Sequence, residues 1–134
     1  MISDMKRTAG FTVLELIIVI VVLGVIGLIG LLQYNNLAAM QRDEQRKTAI
    51  NAMYYGLEEA FYPANEYYPR TLSSDNLKTV DPELFSDPNG NAIGESNSDY
   101  RYEPINCNNN ECQGYTLRTT LENEADFIKT NRDN

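Results

Sequence analysis

"KRTAGFTVLELIIVIVVLGVIGLIGLL", residues 6 to 32, decides how the rest of this chain is read. From Phe11 to Leu32 it runs 22 residues, and its only side chains outside the apolar set are Thr12, Glu15 and the glycines. As a helix at about 1.5 Å per residue it reaches about 33 Å, enough for a hydrocarbon core of about 30 Å. A signal-peptide core is shorter and ends in small residues at a cut site. Here "LLQYNNLAAMQRD" (31–43) continues the run without such a site. The stretch therefore reads as a membrane-spanning segment that stays with the protein. Lys6 and Arg7 precede it and Arg42 is the first base after it. The positive-inside bias then places the N-terminus in the cytoplasm and residues 33–134 outside.

Beyond Leu32 the pattern stays helical but becomes one-sided. Leu37, Met40, Ala49, Ile50, Met53, Leu57, Ala60 and Phe61 recur mostly at steps of three and four, with Arg42, Asp43, Glu44, Arg46 and Lys47 between them. No proline occurs before Pro63. One helix is expected from about Thr12 to about Tyr62, apolar all round in residues 11–32 and amphipathic in 33–62. Residues 63–99 are rich in Pro, Ser, Asn, Asp and Gly and read as a connecting loop, with a short helix near Ser74–Thr79.

The period then changes to two. "YRYEPI" (100–105), "YTLRTTLE" (115–122) and "DFIKT" (126–130) read as an antiparallel meander, with Tyr115, Leu117, Thr119 and Leu121 on its apolar face. Such a sheet supplies the single partner that an amphipathic helix needs. The expected fold class is α+β: a long N-terminal helix on a small antiparallel sheet over residues 100–134. The nine tyrosines read as packing at that helix–sheet boundary.

The chemistry-bearing residues are few. There is no histidine, and the only cysteines are Cys107 and Cys112. Two thiols without further Cys or His offer two metal ligands where zinc takes four, so a disulfide clip across the hairpin is the reading. A six-residue loop closed in this way gains about 2 kcal/mol on the chain-entropy estimate. "DPNGN" (87–91), with Asp99 beyond, places oxygen donors at alternating positions as calcium loops do. Its glycine is misplaced for an EF-hand, and a turn accounts for the residues without metal. No catalytic residue, metal ligand or cofactor is assigned, and an enzyme is not expected. Residues 63–134 carry six basic against thirteen acidic side chains, the reverse of a nucleic-acid footprint, so no direct nucleic-acid contact is expected.

Glu15 is the anomaly in the apolar run. "TVLE" (12–15) has the form of a capping box, with Thr12 as the cap and a carboxylate suited to the helix dipole. Glu15 also lies only about 6 Å from the end of the span and reaches the interface. Both readings permit Glu15, and neither requires it. A third gives it a partner: cleavage between Gly10 and Phe11 would create an α-ammonium four residues away, on the next copy of the chain.

Basic leader, terminal glycine, Phe11, offset Glu15 and apolar span together resemble the class III signal and N-terminal helix of type IV pilins and pseudopilins. The resemblance implies that a prepilin peptidase cuts after Gly10, separating a leader of residues 1–10, and that Phe11 is then N-methylated. Glu15 matches the family's glutamate that pairs with a neighbour's N-terminus during assembly. Leu32 stands where many members have proline, and Gly24, Gly27 and Gly30 supply either softness or close helix approach. Implied partners are further copies of the chain in a helical homopolymer, the peptidase, the inner-membrane pilus assembly machinery and, before assembly, the membrane itself. The implied location is a single-pass N-in/C-out precursor and then an extracellular filament serving motility, adhesion, uptake or secretion. A pseudopilin of a type II-like secretion system is the alternative within the family. An uncleaved single-pass anchored binding domain is the alternative outside it, and it has no use for Gly10–Phe11.

Overall fold

The structure is a computed structural model that describes residues 10–132. Leader residues 1–9, with Lys6 and Arg7, and the last two residues lie outside the described residues. The chain divides into two units, Met1–Leu37 and Ala38–Asn134. The first contains the start of helix α1 (Val13–Tyr55), and every residue from Phe11 to Leu37 is exposed in the single chain. Many residues here are Val and Ile, which are weak helix formers in water. In hydrocarbon the backbone must satisfy its own hydrogen bonds, and a helix does so within one segment.

In the second unit α1 and the π-helical turn that follows it bury one face. Ala39, Asp43, Arg46, Ile50, Met53 and Leu57 are all buried, at successive steps of four and three. Two of these six positions hold charges. Leu37 and Met40, expected on the apolar face, are instead exposed. They lie off that stripe, and the buried path at Asp43 and Arg46 is polar.

The helix does not stop at Tyr62. A π-helical turn, Gly56–Phe61, leads into α2 (Tyr62–Asn65), and Glu66 closes it at φ 62° with its amide on Tyr62 O at 2.7 Å. Pro63 lacks an N–H, and in a regular α-helix its ring would strike the carbonyl four residues back. A widened turn just before it relieves both demands. Gly56 is needed for packing here: a Cβ at this position would stand 2.7 Å from Val80 Cγ2.

Residues 63–99 are more structured than the loop expected from composition. They include β1 (Tyr68–Pro69), a 3-10 turn at Pro82–Phe85, and the buried Leu72, Leu77, Val80 and Phe85. The helix expected near Ser74–Thr79 is a set of turns. The Asn76 side chain accepts from Ser73 N at 3.0 Å and donates to Thr71 O at 2.6 Å, competing with a backbone ladder. Asp81 caps the 3-10 turn instead, its Oδ1 accepting from Glu83 N at 3.1 Å.

The antiparallel sheet is completed by β2 (Tyr100–Asn108), β3 (Glu111–Thr119) and β4 (Phe127–Thr130). β3 pairs with all three other strands. As the period-two pattern requires, Tyr115, Leu117 and Thr119 are buried; Leu121 falls beyond the end of β3. β2 and β3 extend further than expected, down to an Asn109–Asn110 turn, because Cys107 faces Cys112 in register. With α1 these strands enclose a core of Ile50, Met53, Leu57, Tyr68, Tyr100, Tyr115 and Leu117.

Candidate functional site

The first candidate is the start of α1. Thr12 Oγ1 accepts from Glu15 N at 3.2 Å, and Leu16 N donates to Thr12 O at 3.1 Å. Thr12 is thus the helix cap, which satisfies one of the amides that a helix start leaves open. Glu15 occupies the first turn, and among the described residues no donor reaches its carboxylate. Gly10 and Phe11 precede the helix and are exposed.

The second candidate is a charged cluster in the body. Arg46, 4 % exposed, donates to Asp43 at 3.0 Å, to Asp99 at 2.9 Å and to Glu122 at 2.9 Å. Arg42 adds a two-point contact with Glu122 at 2.6 and 2.7 Å. Burial works to raise the Asp43 carboxyl, but the amides of Glu122 and Asn123, with Arg46, outweigh it and hold it below its ordinary value. The Arg42 and Arg46 contacts bring Glu122 down to about 2.

The same network settles how Asp87, Asn89 and Asn91 are used. Asp87 Oδ1 accepts from Asn89 N and Asn91 N, each at 2.9 Å, and Oδ2 accepts from Asp99 N at 2.8 Å. That is a turn built on side-chain-to-backbone bonds. Burial tends to raise the Asp87 carboxyl, and these amides carry it below its ordinary value. Asp99 is turned toward a guanidinium.

A third polar centre lies in the core. Glu58, 5 % exposed in the π-turn, accepts from Tyr115 Oη at 2.8 Å, Tyr68 Oη at 3.1 Å and Arg132 N at 3.3 Å. Burial, and then the bond to Glu58, push the Tyr115 hydroxyl above its ordinary range. Tyr62, Tyr68, Tyr115 and Tyr102 follow ring to ring at 4.8, 4.9 and 5.6 Å. The tyrosines expected at a helix–sheet boundary divide: Tyr68, Tyr100 and Tyr115 are core, whereas Tyr34 and Tyr55 are exposed.

Cys107 and Cys112 form a disulfide across the β2–β3 hairpin. Sequence reasoning did not single out Asp43, Arg46 or Glu58. The first two fall on the four–three rhythm of buried positions, but as charges they read as solvent-facing until their distant partners are in place. Glu58 gave no such sign, because its donors come from distant strands.

Residues 5–31 match the family model described as the prokaryotic N-terminal methylation motif. This chain carries the class III signal of type IV pilins. The match joins Gly10, Phe11, Thr12 and Glu15 to one motif and leaves residues 32–134 outside it. Comparison with curated proteins and with solved structures returned no match. The motif indicates a type IV pilin or pseudopilin-like precursor, with processing by prepilin peptidase and assembly in a membrane machinery. Together with the apolar helix it indicates membrane anchoring before assembly.

Proposed function

We propose that the chain is a structural subunit of a type IV pilus-like filament, cut between Gly10 and Phe11 and N-methylated at Phe11. The observation that carries the reading is the Glu15 carboxylate: it sits in the first turn, without a donor among the described residues, at the head of a span that is exposed throughout. A new N-terminal ammonium on a neighbouring copy supplies what it lacks. At an effective dielectric near 20, a pair about 4 Å apart interacts by about 4 kcal/mol before desolvation is subtracted. The pair therefore sets register, and cohesion comes from van der Waals packing of Phe11–Leu32 along a heterologous assembly that does not close.

Before assembly the chain is a single-pass protein with its N-terminus in the cytoplasm. In the filament, residues 33–134 form the coat, and Cys107–Cys112 clips the hairpin in an oxidising compartment. The role is structural. Its partners are copies of itself, the peptidase and the inner-membrane assembly machinery.

Intact mass and N-terminal fragmentation of protein sheared from cells test this reading. It expects a chain that starts at N-methylated Phe11 with the disulfide intact. A chain starting at Met1 beside active peptidase would overturn it in favour of an uncleaved anchor. Glu15→Gln should keep the Thr12 cap yet impair incorporation, with Glu15→Asp intermediate. Normal filaments from the Gln variant would remove the ion pair. Imaging then separates an extracellular pilus from the short periplasmic filament of a pseudopilin.

A further inference from the structure

The outer face of the sheet carries an arrangement that the core does not use. Arg101 of β2 stands directly opposite Arg118 of β3. Like charges in that position destabilise a strand pair unless something shares them. Arg118 Nη2 donates to Glu103 at 3.2 Å in an exposed pair, but its Nε is buried and has no hydrogen-bond partner among the described residues. A buried donor left unmade is costly. Arg101 is held by the Glu95 and Ser96 carbonyls at 3.3 and 3.0 Å, which fixes its fork in place.

Arg101 and Arg118 line a cavity of about 290 Å³ with Ser96, Asn97, Thr120 and Asp126, and every residue of its wall is polar or charged. We propose that this cavity binds a sugar acid, with its carboxylate between Arg101 and Arg118 and its hydroxyls on the Asn97, Thr120 and Asp126 side. A planar carboxylate matches a guanidinium fork. It also places a negative charge between two facing positive ones. Asp126 in the same wall disfavours a multiply charged group such as phosphate, whereas a hydroxyl donates to it. The volume is at the small end for ligand pockets and suits one ring. This site does not depend on whether the filament is a pilus or a pseudopilus.

The test is a titration of the full-length ¹⁵N-labelled chain in detergent micelles with glucuronate, glucose and inorganic phosphate, read on backbone amides. Glucuronate should give saturable shifts confined to residues around Arg101, Arg118, Thr120 and Asp126. Arg118→Gln should weaken binding by about tenfold or more, since a hydrogen bond to a charged group is lost. Arg118→Lys, which keeps the charge but not the fork, should also weaken it. Arg70→Gln, whose parent donates to Asn109 O at 2.9 Å away from this cavity, should bind as before. An oligosaccharide ending in glucuronate distinguishes a glycan end, which shifts the same amides, from a free acid, which alone does so. No saturable shift with glucuronate, equal shifts with glucose or phosphate, or unchanged binding by both Arg118 variants would overturn the site.

Discussion

Arg46 of α1 donates through Nε and Nη2 to one oxygen of Asp99, at 3.0 and 2.9 Å, from 53 positions away in sequence. The same guanidinium reaches Asp43 and Glu122, so helix, loop and the turn after β3 meet at one cation. Removing a buried partner leaves the others uncompensated, which costs about 3 kcal/mol. Arg46→Met should therefore lose about that much in urea unfolding of the full-length protein in micelles, followed by tyrosine near-UV circular dichroism. Arg46→Lys should fall between, because an ammonium cannot reproduce the fork. Wild-type stability in the Met variant would mean that the cluster is held by its backbone amides alone.

Acid should loosen the same region. Glu122 is lowered from 4.5 to about 2, and Asp43 and Asp87 are lowered from 3.8. Carboxyls depressed in the folded state stabilise it fully above their ordinary values and lose that contribution as protons bind the native form. Stability should thus be level near neutrality and fall as pH drops from about 4.5 toward 2. Glu122→Gln should flatten the upper part of that fall. A curve that is flat across this window would show that the cluster is not coupled to folding.

Much of the layout was readable from local pattern. The apolar run, the switch from a period near 3.6 to a period of two, and the pairing of the only two cysteines all act over short stretches of chain. What stayed hidden depends on distant partners. Asp43 and Arg46 look like solvent-facing charges until Asp99, Glu122 and Asn123 are brought to them. β1 is two residues whose ladder exists only because β3 lies beside it. Pro63 reads as a stop signal, and only the π-turn before it lets the helix continue. At Gly10–Glu15 the motif was legible because its meaning lies in residue identity and spacing.

Tyr115 and Glu58 give a further check. Tyr115→Phe deletes the hydroxyl that donates to Glu58 at 2.8 Å and leaves the ring stack in place. A hydrogen bond to a charged group carries about 1.5–3 kcal/mol, so the variant should be destabilised by about 2 kcal/mol in the same urea assay. Tyr102→Phe, whose hydroxyl donates to the Pro69 carbonyl at 2.6 Å, should cost less, about 1 kcal/mol. Equal losses would indicate that Glu58 adds nothing beyond a neutral acceptor.

Gly56 offers a test in which the sign of the effect changes. In an open helix Gly→Ala gains about 1 kcal/mol in backbone preference. Here the new Cβ meets Val80 Cγ2 at 2.7 Å, on a stiff β-branched side chain that is itself buried. Overpacking of this kind costs about 1–3 kcal/mol, so Gly56→Ala should be net destabilising by about 1 kcal/mol. Val80→Ala alone should also destabilise, by opening a cavity. In the Val80→Ala background the added methyl fills that space, and Gly56→Ala should become stabilising. A double-mutant cycle on urea midpoints reads the inversion directly. If Gly56→Ala has the same sign in both backgrounds, the close approach of Val80 is not what reserves this position for glycine.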